Sequence, residues 1–299
     1  MAEISYSQTR ARREDGLALA ALLVGAVAMG ASPIFVRLAG VGPFTSAFWR
    51  VCLALPLLYA WMRIAERGDA KPAARFSTPS LLAGLAFTGD LLFWHLSILS
   101  TSIANATFFA TTAPIWVILF GWLLLGERVA ASVLAGLALC LAGGGALLAE
   151  SLHIRVSGAI GDLEGLATGV FFGLYFLCVQ AARRKTSAAR VTFEATVVTA
   201  ACLFVVALVV ERHLWPSSLP GGLALFAMAW ISHAGGQGLL SVALGRLPAS
   251  FSSLVIFLEA IAAAGLAWAC LGEPVSAIQA LGGVLILVGI YVARPRAQG

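Results

Sequence analysis

The chain has 299 residues, 60% hydrophobic and 11% charged, with a net charge of +5 and a mean hydropathy of +0.94. Soluble domains carry about 25% charged residues, and one core cannot hide this much apolar surface. A soluble enzyme or binding domain is excluded. The basic residues are scattered between apolar runs, so no nucleic-acid-binding domain is expected.

A membrane-crossing helix needs roughly 20 mostly apolar residues. Ten segments qualify: 17–38, 43–62, 80–99, 102–125, 129–149, 160–182, 191–210, 221–245, 248–271 and 275–293. They are numbered here as spans 1 to 10, and they predict an all-α membrane protein. Arg10, Arg12 and Arg13 precede span 1 as in a secretory signal, but the apolar run to Leu38 is longer than a signal core. An uncleaved helix is expected, bent near Pro33 where a backbone donor is missing. Span 2 carries Trp49 and Arg50 near one end, read as an interfacial aromatic and a snorkelling arginine.

Span 3 is the most informative helix. Asp90 sits near its middle, where a charge costs about 2.5–3.5 kcal/mol on insertion scales, so it should face a cavity or a partner. Phe87, Asp90 and Trp94 share its face, with His95 on the neighbouring one. In span 4, Asn105, Phe109, Thr112 and Trp116 form one stripe, and Thr107 and Thr111 the next. Pro114 breaks the ladder there, which frees carbonyls for a polar ligand or leaves the threonines to satisfy the kink. Gly136, Cys140 and Gly144 in span 5 predict a close-packed support helix.

In span 6, Gly165, Gly169 and Gly173 predict a small-residue seam, with Phe171, Phe172 and Tyr175 pointing elsewhere. Glu194 of span 7 is read as interfacial. Trp230, His233, Gln237 and Ser241 fall on one α-helical line of span 8 and are expected to line a pathway. Glu259 near the centre of span 9 is a second mid-membrane carboxylate. Span 10 is a glycine-bearing support helix like span 5. The five cysteines lie in spans without CxxC spacing, so neither a disulfide framework nor a metal site is expected, and no cofactor.

Residues 109–145 return 146 positions later as 255–291: Trp122 falls on Trp268, Gly126-Glu127 on Gly272-Glu273, Gly136 on Gly282, and Gly143 on Gly289. The chain therefore reads as two five-span units, 1–150 and 151–299. An odd span count inserts the second copy upside down, giving two inverted repeats around a central cavity, the layout of alternating-access transporters. Glu259 aligns with Ala113, so the copies differ there. With the N-terminus inside, fifteen lysines and arginines fall in inner segments, against Arg155 and Arg212 outside. Both termini are thus expected to be cytoplasmic.

Ten spans in two halves, each running into Gly-Glu and a glycine-rich last helix, resemble the drug/metabolite transporter superfamily with two EamA-type domains. TSIANATFFATTAPIWVILFGWLLLGERV is similar to that family's most recognisable stretch. ASPIFVRLAGVGPFTSAFWR resembles the YddG aromatic amino acid exporters. The resemblance implies a cavity built by spans 1, 3, 4, 6, 8 and 9, spans 5 and 10 at the periphery, and export of metabolites across a bacterial inner membrane. The second half has Ala260 in place of Pro114, which leaves open whether the halves move alike.

The residues point to the same substrate class. Phe87, Phe109, Phe171, Tyr175, Trp94 and Trp230 suit apolar or aromatic groups, while Asn105, Thr112, Gln237 and Ser241 suit an amino or carboxyl group. Few pathway residues are cationic, which disfavours phosphorylated substrates. The expectation is a broad amino acid exporter, monomeric in the bilayer, working by facilitated flux or by proton exchange through Asp90 or Glu259. The alternative is efflux of drugs, cationic dyes or other small metabolites. An intramembrane enzyme is disfavoured, because no GxSxG or HExxH motif accompanies His95 and His233.

Overall fold

A computed structural model describes residues 2–67, 76–101, 103–149, 159–271 and 275–295, without the side chains of 2–12, 103–105, 125, 267, 270 and 271. The Asn105 side chain, Gly272-Glu273, Lys71, Arg75, Arg155 and Arg296 lie outside what is described. Among the described residues every regular element is helical. Nine segments among the described residues are long and apolar enough to cross a membrane, and Ala277–Ala293 is a shorter apolar tenth.

Five spans are interrupted, each near the cavity described below or at the helix end that frames it. Span 1 divides into α1 (Ala2–Gly30) and α2 (Ser32–Ala39), with Pro33 just past the break. Span 2 divides into α3 (Pro43–Cys52) and α4 (Leu55–Ala65), a break that the hydropathy pattern did not show. Span 3 is the continuous α5 (Thr78–Ser100), and span 4 divides at Thr111 into α6 (Ile103–Ala110) and α7 (Ala113–Leu125). Spans 5, 6 and 7 are α8 (Ala131–Leu148), α9 (Ala159–Arg183) and α10 (Ala188–Val210). Span 8 begins as α11 (Leu219–Ala227), widens into a π-helix over Met228–Gln237, and ends as α12 (Gly238–Ala243). Span 9 divides into α13 (Ala249–Val255) and α14 (Leu258–Leu271), and span 10 is α15 (Ala277–Ala293). The break in span 9 falls at the position of the break in span 4 although Ala260 stands where Pro114 would.

Gly126 closes α7 in the left-handed conformation, φ +66°. Its N–H donates to the Trp122 carbonyl at 3.1 Å and the Glu127 N–H to the Gly121 carbonyl at 3.0 Å, which explains why a glycine stands at this stop.

The support helices α8 and α15 show how the halves are related. A Cβ at Gly136 would stand 2.5 Å from the Gly289 carbonyl oxygen, and one at Gly143 would stand 2.5 Å from that of Gly282. Low numbers meet high, so the helices run antiparallel. Gly136 and Gly282 are repeat counterparts, as are Gly143 and Gly289, so exchanging the two copies maps one contact onto the other. Cys140 Sγ lies 3.6 Å from the carbonyl of Ile286, its own counterpart. A two-fold axis passes through that point, and the two halves are inverted repeats.

At the far side of the bundle α10 packs against α3, α4 and α5. Both its ends are tied down. The Glu211 carboxylate accepts the N–H groups of Phe44 at 2.7 Å and Thr45 at 3.2 Å, capping α3 where the helix dipole favours an anion. At the other end Arg190 grips Glu66 through two bonds of 2.5 and 2.6 Å, and Glu194 accepts the Phe76 N–H at 2.8 Å. Glu194 is 2% exposed. It is a buried tie between α10 and the start of α5, not the interfacial residue expected, because its partners come from loops folded over the helix end.

Candidate functional site

The interrupted spans meet around a cavity of about 110 Å³. Span 1 contributes Met29, Gly30, Ser32 and Pro33, and span 3 contributes Phe87, Asp90, Leu91 and Trp94. Thr107, Ala110 and Thr111 come from span 4, Thr168 and Phe172 from span 6, Gln237 from span 8, and Ile256, Glu259, Ala260 and Ala263 from span 9. Span 2 adds Arg50. One end of the bundle gathers Arg128, Arg183, Arg184, Arg246 and Arg294 around a separate vestibule. Between that arginine-rich face and the cavity, the next helical turns bring Leu22, Val117, Tyr175, Phe176, Leu240 and Leu254, each at most 3% exposed. Ser241, Ser252 and Ser253 are buried on the same turns.

Arg50 is the main correction to the sequence reading. It does not snorkel; it is 8% exposed and borders the cavity. Its Nη1 donates to Ser32 Oγ at 3.2 Å, and its guanidinium lies 6.0 Å from the Phe87 ring centre. Arg50, Asp90 and Glu259 border the same cavity, yet among the described residues no direct ion pair joins Arg50 to either carboxylate. The wall therefore carries a cation that the sequence reading had placed at the membrane interface. Three polar atoms on this wall are buried without a partner among the described residues: Arg50 Nε, Gln237 Oε1 and Glu259 Oε1.

A family model for the EamA-like transporter family matches residues 16–148 and again 159–294. The chain belongs to this family. It is 28% identical over 280 residues to an uncharacterized transporter of Archaeoglobus fulgidus, covering 92% of this chain and 95% of that one. It is also 28% identical over 255 residues to the pseudopaline exporter CntI of Pseudomonas aeruginosa, covering 84% and 86%. A solved crystal structure superposes with a TM-score of 0.80 at 19% identity, over 94% of this chain and 98% of that one. This EamA-family chain is thus a multi-pass membrane transporter with a fold already seen in a crystal.

The cavity takes in only part of the residue set singled out from the sequence. Phe87, Asp90, Trp94, Gln237 and Glu259 border it. Tyr175 stands behind it, 4.9 Å from Phe87 ring to ring, and Phe171 stacks on Phe93 at 5.4 Å. His95 is turned into protein, its Nδ1 donating to the Leu91 carbonyl at 2.6 Å. Phe109 and Thr112 belong to the span 4 joint, where Thr112 Oγ1 donates to the Phe109 carbonyl at 2.6 Å. The break at Thr111 turns the neighbouring stripe, Thr107 and Thr111, to the cavity instead. The α-helical line through span 8 fails because a π-helix takes more residues per turn. Gln237 reaches the cavity, and His233 Nε2 shares a 2.9 Å hydrogen bond with Thr196 Oγ1. Ser241 Oγ donates to the Ala188 carbonyl at 3.4 Å. Trp230 faces outward, 41% exposed, its Nε1 donating to the Leu53 carbonyl at 3.2 Å. The glycines of span 6 form the expected seam, facing Phe109, Thr112 and Trp116 of span 4.

Proposed function

We propose that this transporter exports amino acids, aromatic and other neutral ones, by alternating access between the two inverted repeats, 1–150 and 151–299. The observation that carries the reading is the wall of one cavity, which sets a guanidinium, two carboxylates and an amide beside Trp94, Phe87 and Phe172. Such a mixture suits a small molecule with charged ends and an apolar body. The YddG-like opening phrase supports the aromatic members of that class. The lysine and arginine bias supports cytoplasmic termini in a bacterial-type inner membrane. The protein would work as a monomer, since each chain encloses its own cavity.

A second reading, export of another small metabolite, is favoured by one relative, the pseudopaline exporter. Efflux of simple cations is disfavoured by Arg50 in the wall. Purified protein in liposomes, loaded with a panel of labelled amino acids and unrelated metabolites and run with and without a pH gradient, separates these readings. Neutral amino acid flux is expected. Flux of another metabolite with no amino acid movement would reject the substrate class and keep the transporter.

A further inference from the structure

The three unpartnered atoms of the cavity wall differ in kind. Arg50 Nε is a donor only, Glu259 Oε1 is an acceptor, and the Gln237 amide offers one of each and can turn to suit. A buried polar atom left without a partner is costly, so each is a demand on the ligand. A pure anion would answer Arg50 and leave Glu259 facing a second anion. A pure cation would do the reverse. An apolar molecule would answer neither. A ligand carrying both poles meets all three demands.

The wall offers a partner for each pole. Two carboxylates, Asp90 and Glu259, face one guanidinium across the cavity. An ammonium group on the ligand gives the two carboxylates a cationic partner, and its carboxylate gives Arg50 a partner stronger than the single Ser32 hydroxyl that now holds it.

We propose that the cavity is a two-pole receptor for a zwitterion. Arg50 takes the carboxylate, Glu259 and Asp90 take the ammonium with Gln237 beside them, and Trp94 and Phe172 take the apolar remainder. This assignment rests on the amino acid reading above and adds its residues. It also gives the substrate a part in the motion. Arg50 and Asp90 belong to the first half, Gln237 and Glu259 to the second. A bound zwitterion therefore ties the halves together, its ammonium between Asp90 of the first and Glu259 of the second, whereas a carboxylate alone engages only Arg50 of the first.

The test is competition against labelled phenylalanine uptake into proteoliposomes, using unlabelled phenylalanine, its methyl ester, phenethylamine, N-acetylphenylalanine and 3-phenylpropionate. The two cations and two anions are expected to compete at least roughly tenfold more weakly than phenylalanine, since a site built for a polar group strongly rejects the analogue lacking it. In Arg50→Gln the penalty for lacking a carboxylate should shrink, and in Glu259→Gln the penalty for lacking an ammonium should shrink. The wild-type panel stands alone if either variant fails to fold. Phenylalanine flux with one-pole analogues competing as well as phenylalanine would overturn the two-pole receptor and leave the amino acid reading in place. Absence of flux for phenylalanine and for every other neutral amino acid would overturn both.

Discussion

The α8–α15 seam and the central cavity obey the same repeat in opposite ways. At the seam the two copies match residue for residue, Gly136 with Gly282 and Gly143 with Gly289, and each contact is the image of the other. At the cavity no charged residue has a charged counterpart. At the 146-residue offset, Arg50 corresponds to Thr196, Asp90 to Gly236, Gln237 to Leu91 and Glu259 to Ala113. Packing between duplicated helices needs both copies alike, because the two-fold makes one surface its own partner. A ligand with two different ends has no such symmetry, and its receptor must abandon the repeat. Symmetry thus marks the frame of this molecule, and its loss marks the site.

The largest effects should come from imposing side chains where that division forbids them. Gly143→Leu drives a side chain into the Gly282 backbone, which lies 2.5 Å from where even a Cβ would stand. No folded protein is expected on size-exclusion chromatography in detergent. Ala113→Glu restores the repeat counterpart of Glu259, but Ala113 is fully buried in the helix packing. An uncompensated buried charge costs about 3–5 kcal/mol, a large part of a typical total stability of about 5–15 kcal/mol. Recovery of Ala113→Glu with a wild-type melting temperature would undo the contrast between seam and cavity.

Next in size is Asp90→Asn, which alters the cavity and leaves the frame. Flux of the best amino acid substrate should fall by roughly tenfold or more, as expected when one partner of a buried charge set is removed. The melting temperature in detergent should stay near that of the wild type. Equal flux from wild type and Asp90→Asn would detach this carboxylate from transport.

This division also explains what the sequence disclosed. The frame was legible because apolar length and glycine spacing repeat, and a repeat is a signal that needs no side-chain geometry. The break in span 9, which follows the position of the span 4 break without its proline, was not read from the sequence. The cavity was half legible. Mid-span carboxylates such as Asp90 and Glu259 announce themselves by their desolvation cost. Arg50 was misread because an arginine near a span end so often snorkels, but the signal was present. Ser46, Ala47, Arg50 and Ala54 lie on one face, and a stripe of small residues faces protein, not lipid. The π-helix in span 8 was not legible. Its effect was to turn Trp230 and His233 of the predicted stripe away from the cavity while Gln237 stayed, and only the cluster Gly235, Gly236 and Gly238 hinted at irregular backbone.

A smaller effect is expected where the frame is held by charge instead of by glycine. Arg190→Gln removes the two bonds to Glu66 and leaves Glu194 with the Phe76 N–H. Truncating one partner of a hydrogen-bonded charge pair costs about 1–3 kcal/mol when it is partly buried. Thermal unfolding in detergent should report a lower midpoint, with substrate selectivity unchanged. A change in selectivity without a change in midpoint would place this tie in the site and not in the frame.

The smallest effect is the most discriminating, because Trp230 looks like a site residue in the sequence and like neither region in the fold. It lies on the outer surface, 41% exposed, with its ring 4.7 Å from that of Phe226 and its indole N–H on the Leu53 carbonyl. Its repeat counterpart is Gly84, which is buried against Ala195 and Val198 of span 7. A side chain bathed in lipid contributes neither to the seam nor to the cavity. Trp230→Leu keeps the apolar surface and loses one exposed hydrogen bond, worth about 0.5–1.5 kcal/mol. Flux and the analogue competition profile should both match the wild type. A shift in that profile would mean that the outer face of the π-helix communicates with Gln237, seven residues along the same element, and would move the boundary between frame and site.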